Sequence, residues 1–260
     1  MIPSEEIKEQ ARRNGVPEST AERDYAQGWL LAHASKQLNM ALKGGTGIRK
    51  VYLGDYRFSD DLDFTLLDDF TPDDIESRIK NAVRVAKTES GIDFLETVKL
   101  TKAKNGYQAI TYFRLLRRTG SPLHIKLDLP RRDKEIILLP LEVRTIIHPY
   151  SDALEAKALS YSLEEVLAEK TRALFERTRP RDLYDVWRLH KLKLDASRII
   201  PHKLAFKGVS IDLDDLRARE KAYHKAWESS LKHQLKDLPA FDTVFQEVLI
   251  LLKNVSNQSR

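Results

Sequence analysis

Lys43-Gly44-Gly45-Thr46-Gly47-Ile48-Arg49, followed a few residues on by Arg57-Phe58-Ser59-Asp60-Asp61-Leu62-Asp63-Phe64, is the stretch on which the reading of this chain turns. Side chains alternate across an extended strand, so Asp61 and Asp63 share one face while Leu62 and Phe64 share the other. Their Cα atoms are then about 6.6 Å apart, near enough for both carboxylates to close on one divalent cation or on two held about 4 Å apart. Glycines let backbone N–H groups approach an anion with no Cβ in the way, and a helix starting near Gly47 would aim its positive end at the same place. An all-oxygen acid pair beside such a turn suits magnesium, with manganese as a substitute, and the tail of a nucleoside triphosphate. Asp61 and Asp63 are the candidate metal ligands, and Gly44, Gly45 and Thr46 the candidate phosphate-binding turn. Arg57 and Ser59 flank the acids and can touch phosphate, although Arg57 could equally brace the turn through Asp60.

Two familiar alternatives fail on residue type. A Walker-type phosphate loop ends in Gly-Lys-Ser/Thr, whereas here Lys50 follows Arg49 and precedes Val51. A calcium loop starting at Asp61 needs Gly at its sixth position and Glu at its twelfth, and the chain has Leu66 and Pro72 there. The order of elements also matters: apolar Met40-Ala41-Leu42 leads into the glycines, and Asp61 to Leu67 reads as a strand with a buried face.

Taken together, Lys43-Gly44-Gly45-Thr46, Tyr52-Leu53 and Tyr56 to Phe64 resemble the AbiEii/AbiGii group of nucleotidyltransferase toxins, which includes the MenT enzymes. Glu22-Arg23-Asp24-Tyr25 with Trp29-Leu30-Leu31 resembles the family's acidic-aromatic helix, and Glu165 to Leu189 its C-terminal signature, so the resemblance spans about residues 4 to 190. It implies an α+β fold, a mixed polymerase-β-like nucleotidyltransferase sheet flanked by helices, with a helical C-terminal domain. It also implies nucleotide transfer from a triphosphate, in some members to the 3′ end of tRNA, by a toxin with a cognate antitoxin. Lys170 would contact the triphosphate, and Arg181, Asp182 and Asp185 match the family's Arg-Asp-x-x-Asp segment, which makes Lys170 and Asp182 candidate catalytic residues.

Composition sets bounds around this. At 260 residues and 42% hydrophobic content, the chain can bury a proper core in one large domain or two modest ones. With no cysteine, disulfide frameworks, thiolate metal sites and cysteine nucleophiles are all excluded. The start, Met1 to Glu6, has neither a basic leader nor an apolar core, and no stretch approaches the ~20 apolar residues of a membrane span, so a cytoplasmic, membrane-free protein is expected. Lys and Arg number 44 against 39 acids, a mild excess of +5. Basic residues gather at Arg114, Arg117 and Arg118, at Lys126, Arg131 and Arg132, and at Arg172, Arg177, Arg179 and Arg181. Singly these are solvated side chains; collectively they could seat RNA phosphates by shape and backbone contacts.

Residues 4 to 14 and 19 to 38 read as helices, the second capped by Ser19, with Asp24 serving its dipole. Thr71-Pro72-Asp73-Asp74 opens a helix that Gly91 ends near Ser90. Three strands follow, Phe94 to Leu100, Ala109 to Leu115 and Leu123 to Leu129, the first two joined through Asn105-Gly106. In the third, His124, Lys126 and Asp128 share one face. Asp128 is thereby a candidate third carboxylate, able to orient or help deprotonate an attacking hydroxyl. His124 lines the face, for no second histidine sits at ligand spacing.

The β pattern stops after Pro149-Tyr150-Ser151-Asp152, so the expected division is 1–150, a nucleotidyltransferase domain with N-terminal helices, and 151–260, a helical domain. Ser162 to Glu165 resembles a capping box and a further helix begins near Arg181. Lys170 shares a side with Leu167, Ala173 and Leu174, where a salt bridge to Asp182 or Asp185 is compatible with phosphate binding. From Asp212 onward Tyr223, Trp227 and Phe245 read as core. Transfer to a protein or small-molecule hydroxyl, or an inactive nucleotide- or partner-binding module, stays open at this point.

Overall fold

The computed structural model describes residues 1–117 and 119–258, so Arg118 lies outside the described residues. The chain forms two compact units, Met1–Glu135 with Leu141–Tyr161, and Ile136–Pro140 with the chain from Ser162 on. The sequence pattern placed the division after Tyr150. The strand Lys157–Ser160 lies beyond that point and pairs into the sheet of the first unit, which carries this unit to Tyr161.

The first unit is a mixed α+β structure. Helices α1 (Ser4–Asn14) and α2 (Glu18–Gln37) precede β1 (Met40–Lys43), which runs into a single turn α3 (Gly44–Gly47), a π-helical turn over Ile48–Tyr52, and β2 (Asp61–Leu66). After α4 (Pro72–Ser90) come β3 (Asp93–Ala103), β4 (Gly106–Arg114), β5 (Leu123–Pro130), β6 (Glu142–Thr145) and β7 (Lys157–Ser160). The seven strands lie in the order β3-β4-β5-β2-β1-β7-β6. β2 with β5 and β1 with β7 are parallel, and the remaining pairs antiparallel.

Local chemistry explains the boundaries. Thr71 caps α4 by accepting from the Asp74 N–H at 3.1 Å while the Asp74 carboxylate accepts from the Thr71 N–H, and Gly91 closes the helix in the left-handed region. The β3–β4 hairpin turns over Lys104 and Asn105, and a Cβ on Gly106 would fall 2.2 Å from the Leu129 carbonyl oxygen on β5. Glycine there lets three strands lie side by side. α2 starts one residue before Ser19, at Glu18 after Pro17, and Ser19 is a helix residue rather than its cap.

Alternation does the rest. Leu62, Phe64, Ala109, Phe113, Ile125, Leu127 and Leu129 face a core shared with Ile75, Ile79, Ala82 and Val83 of α4 and with Leu30 and Leu31 of α2. The opposite face of β2, β5 and β4 carries Asp61, Asp63, Lys126, Asp128 and Gln108, all partly exposed. Burying one face of the sheet thus fixes which side chains the other presents.

The second unit is helical: α5 (Leu163–Glu176), α6 (Pro180–His190), α7 (Ile200–Phe206), α8 (Leu213–Ala218), α9 (Glu220–Leu231) and α10 (Phe241–Gln258). Ser162 caps α5 by accepting from the Glu165 N–H at 3.2 Å. The Glu165 carboxylate is used elsewhere, taking the Leu138 and Leu139 N–H groups and the buried Lys203 ammonium. That is how the short segment Ile136–Pro140 becomes part of this unit. Tyr223, Trp227 and Phe245 are buried, as their spacing predicts.

Candidate active site

The turn after β1 and the strand β2 are pressed together without room for a side chain. Gly44 has φ +68°, and a Cβ there would lie 2.3 Å from Asp63 Oδ2. A Cβ on Gly45 would meet Arg57 Nη2 at 2.8 Å and Ser59 Oγ at 3.1 Å. The structure therefore brings Gly44, Gly45, Arg57, Ser59 and Asp63 into one place. Thr46 is buried, and its hydroxyl donates to the Asp61 carbonyl, so this side chain anchors β2 to the turn. The helical turn begins at Gly44 itself, earlier than Gly47.

The approach to β2 is held from behind by α2. Gln27 Nε2 donates to the Ser59 and Asp60 carbonyls at 3.1 and 3.0 Å, and Arg23 Nη1 meets Asp60 Oδ1 at 2.9 Å. Asp24 does not serve the helix dipole. It lies in the helix body, buried, with Arg49 Nε at 2.8 Å, Lys50 Nζ at 2.9 Å and the Tyr150 hydroxyl at 2.9 Å. Burial works against its charge, but Arg49 and Lys50 outweigh it and hold the carboxyl well below the usual range. Arg49 also donates to the Gly54 and Tyr56 carbonyls and lies 3.6 Å from the Phe58 ring centroid, so the charge on Asp24 orders the loop leading to Ser59.

Across the sheet, the parallel register sets Asp61 opposite Lys126 and Asp63 opposite Asp128. Lys126 Nζ lies 3.1 Å from Asp61 Oδ2 and 2.9 Å from Asp128 Oδ2, and Gln108 Nε2 on β4 donates to Asp128 Oδ1 at 2.8 Å. Partial burial works against the ammonium, yet the two aspartates raise its pKa above the ordinary lysine value. The sequence pattern placed Lys126 on this face and grouped it with basic residues that could seat RNA phosphates; its position two residues from Asp128 on a strand was the available signal for the pairing with the acids. His124 is exposed, its ring 6.4 Å from that of Tyr112. Lys43, buried beside the turn, reaches Glu135 at 3.5 Å and pairs in register with Asp63.

An all-oxygen pair of partly exposed aspartates, next to a turn that excludes any Cβ, fits a hard divalent cation. Among the described residues, no three His, Cys, Asp or Glu side chains converge to hold a metal ion.

In the second unit, Lys170 Nζ lies 2.8 Å from both Asp182 Oδ1 and Asp185 Oδ2, and Arg177 adds a two-pronged contact to Asp182 at 2.8 and 3.2 Å. Burial opposes the Asp182 charge, but Lys170 and Arg177 outweigh it and hold its pKa far below the usual value. Several residues of the basic groups are engaged within the chain: Arg131 with Asp133, Arg172 with Glu176 and Arg177 with Asp182. Among the described residues no helix is long and apolar enough to cross a membrane.

A mixed sheet with paired strand aspartates against a glycine turn is the arrangement that the sequence resemblance to nucleotidyltransferases leads one to expect. The family model for the AbiEii nucleotidyl transferase toxins of type IV toxin–antitoxin systems matches residues 29–247, and the chain belongs to that family. Among solved structures it is similar to MenT4, a nucleotidyltransferase toxin from Mycobacterium tuberculosis H37Rv. That match has TM-score 0.70 and 20% identity, covering 97% of this chain and 90% of the other. The shared fold is that of a nucleotidyltransferase toxin. Weaker matches are an antigenic nucleotidyltransferase-like protein from Paracoccidioides brasiliensis (TM-score 0.42, 16% identity, 86% and 97% covered) and the antibiotic-resistance factor ANT(2'')-Ia (0.41, 18%, 80% and 99%). No curated protein matches the chain in a sequence comparison.

Proposed function

We propose that this toxin moves a nucleoside monophosphate from a nucleoside triphosphate to the 3′ end of tRNA in the cytoplasm, with a requirement for magnesium or manganese, and that a cognate antitoxin restrains it. The observation that carries this reading is the close approach of Gly44 to Asp63 beside a half-exposed Asp61. The tRNA acceptor is supported by the resemblance to the family's characterised members.

Asp61 and Asp63 are the residues that would hold the cation, which when bound neutralises phosphate charge and polarises the reacting phosphoryl group. Gly44 and Gly45 let Asp63, Arg57 and Ser59 close against the turn, and the triphosphate tail is proposed to bind beside these groups. Asp128 keeps acceptor lone pairs beyond those that Gln108 and Lys126 use, and with them orients the attacking hydroxyl. The acceptor hydroxyl gives its proton to an Asp128 oxygen and its oxygen bonds to the α-phosphorus in line as the bond to the β-phosphate oxygen breaks, and pyrophosphate leaves. For Lys170 the proposed role is at the leaving pyrophosphate, its ammonium aimed by Asp182 and Asp185.

Incubation with each radiolabelled triphosphate and total cellular RNA tests this. Label should appear on tRNA and vanish with Asp63→Ala, while circular dichroism shows the fold retained. Undiminished labelling by a folded Asp63→Ala variant would overturn the assignment of the acids, and label on protein or a small molecule instead of RNA would overturn the acceptor.

A further inference from the structure

Two-cation phosphoryl-transfer sites share one ion between carboxylates so as to stabilise the attacking oxygen, and hold the other on the leaving side. In this protein a charge already stands between the carboxylates of neighbouring strands. Lys126 Nζ reaches Asp61 Oδ2 at 3.1 Å and Asp128 Oδ2 at 2.9 Å, and the second oxygen of Asp128 accepts from Gln108 at 2.8 Å. The arrangement is built by backbone register, with Asp61 opposite Lys126 and Gln108 opposite Asp128, rather than by a chance rotamer at the surface. Asp128 thus has a side-chain donor on each oxygen.

We infer that the acid set takes a single divalent cation, on Asp61 and Asp63, and that the Lys126 ammonium supplies the positive charge between Asp61 and Asp128 that a second ion would otherwise supply. This rests on the reading of Asp61 and Asp63 as cation ligands. A compact ammonium is suited to the part, since it offers three donors and can turn toward an incoming oxygen without leaving its aspartates. A methionine of similar length would leave Asp61 and Asp128 facing each other as like charges, a pairing that recruits a cation.

The test counts manganese. Mn2+ is titrated into the full chain and the free ion is followed by electron paramagnetic resonance, for wild type, Asp63→Asn, Lys126→Met and the double variant Lys126→Met/Asp128→Asn. The expected counts are one, none, two and one. A wild-type count of two, or a folded Lys126→Met protein that stays at one, overturns the inference. A wild-type count of none, or a site that persists in Asp63→Asn, overturns the underlying ligand assignment instead. Should Lys126→Met fail to fold, Lys126→Gln takes its place, and the wild-type count still decides.

Discussion

Lys126 and Lys170 each reach two aspartates at nearly equal distances, 3.1 and 2.9 Å for Lys126 and 2.8 Å twice for Lys170. Their surroundings differ. The partners of Lys126 keep 29% and 32% of their side-chain surface, whereas those of Lys170 keep 2% and 0%. Water and salt screen the first pairing, so its partners can exchange at little cost. The second is closed off, and removing one member strands a charge in a poorly solvating interior. The same charge pattern therefore serves an adaptable surface in one unit and a fixed scaffold in the other.

Breaking the buried cluster should have the largest effect on folding. Asp182→Ala leaves Lys170 and Arg177 short of a partner and should lower stability by about 3–5 kcal/mol, read from urea unfolding. A loss below about 1 kcal/mol would show that the cluster is more hydrated than its burial indicates.

Acid should expose the same contrast more gently. Asp182 and Asp24 have folded pKa values depressed below the ordinary 3.8, so their contribution is complete above that value and is lost as pH falls through it toward the folded pKa. Unfolding midpoints should be insensitive to these two groups from pH 8 to 5. Below pH 4 they should decline as the two carboxylates take up protons. An Asp182→Asn protein with an unaltered acid limb would remove Asp182 from this account.

The open pairing should matter least to folding. Asp128→Ala should shift stability by no more than about 1 kcal/mol, because the lost contact is solvent-screened. A larger loss would mean that Lys126 is buried in solution more deeply than its 26% exposure states, and the comparison of the two lysines would collapse.

Much of the first unit was legible because its signals are local. The capping residues around α4, the turn before Gly106 and the alternation of β2 and β5 each follow from a few adjacent side chains. The alternation also put Lys126 and Asp128 together on one face of β5. What could not be read was which strands lie side by side, and with it the placement of Lys126 between Asp61 and Asp128, because a parallel pairing depends on contacts distant in sequence. Asp24 was misjudged for a related reason. An acid early in a helix usually answers the dipole, and only the fold reveals Arg49 and Lys50 beside it. Arg131, Arg172 and Arg177 read as a surface for phosphates, but each has found a carboxylate within the chain.

The five residues Ile136–Pro140 belong to the helical unit although the chain on either side of them belongs to the sheet unit. Neither unit is therefore a continuous piece of polypeptide. Cutting the gene at any one point, whether to express the sheet by itself or to fuse it elsewhere, would deprive one half of a segment it depends on. Two complementary fragments that reassemble, or a rearranged chain order that joins each half's parts, would be the workable ways to take the protein apart.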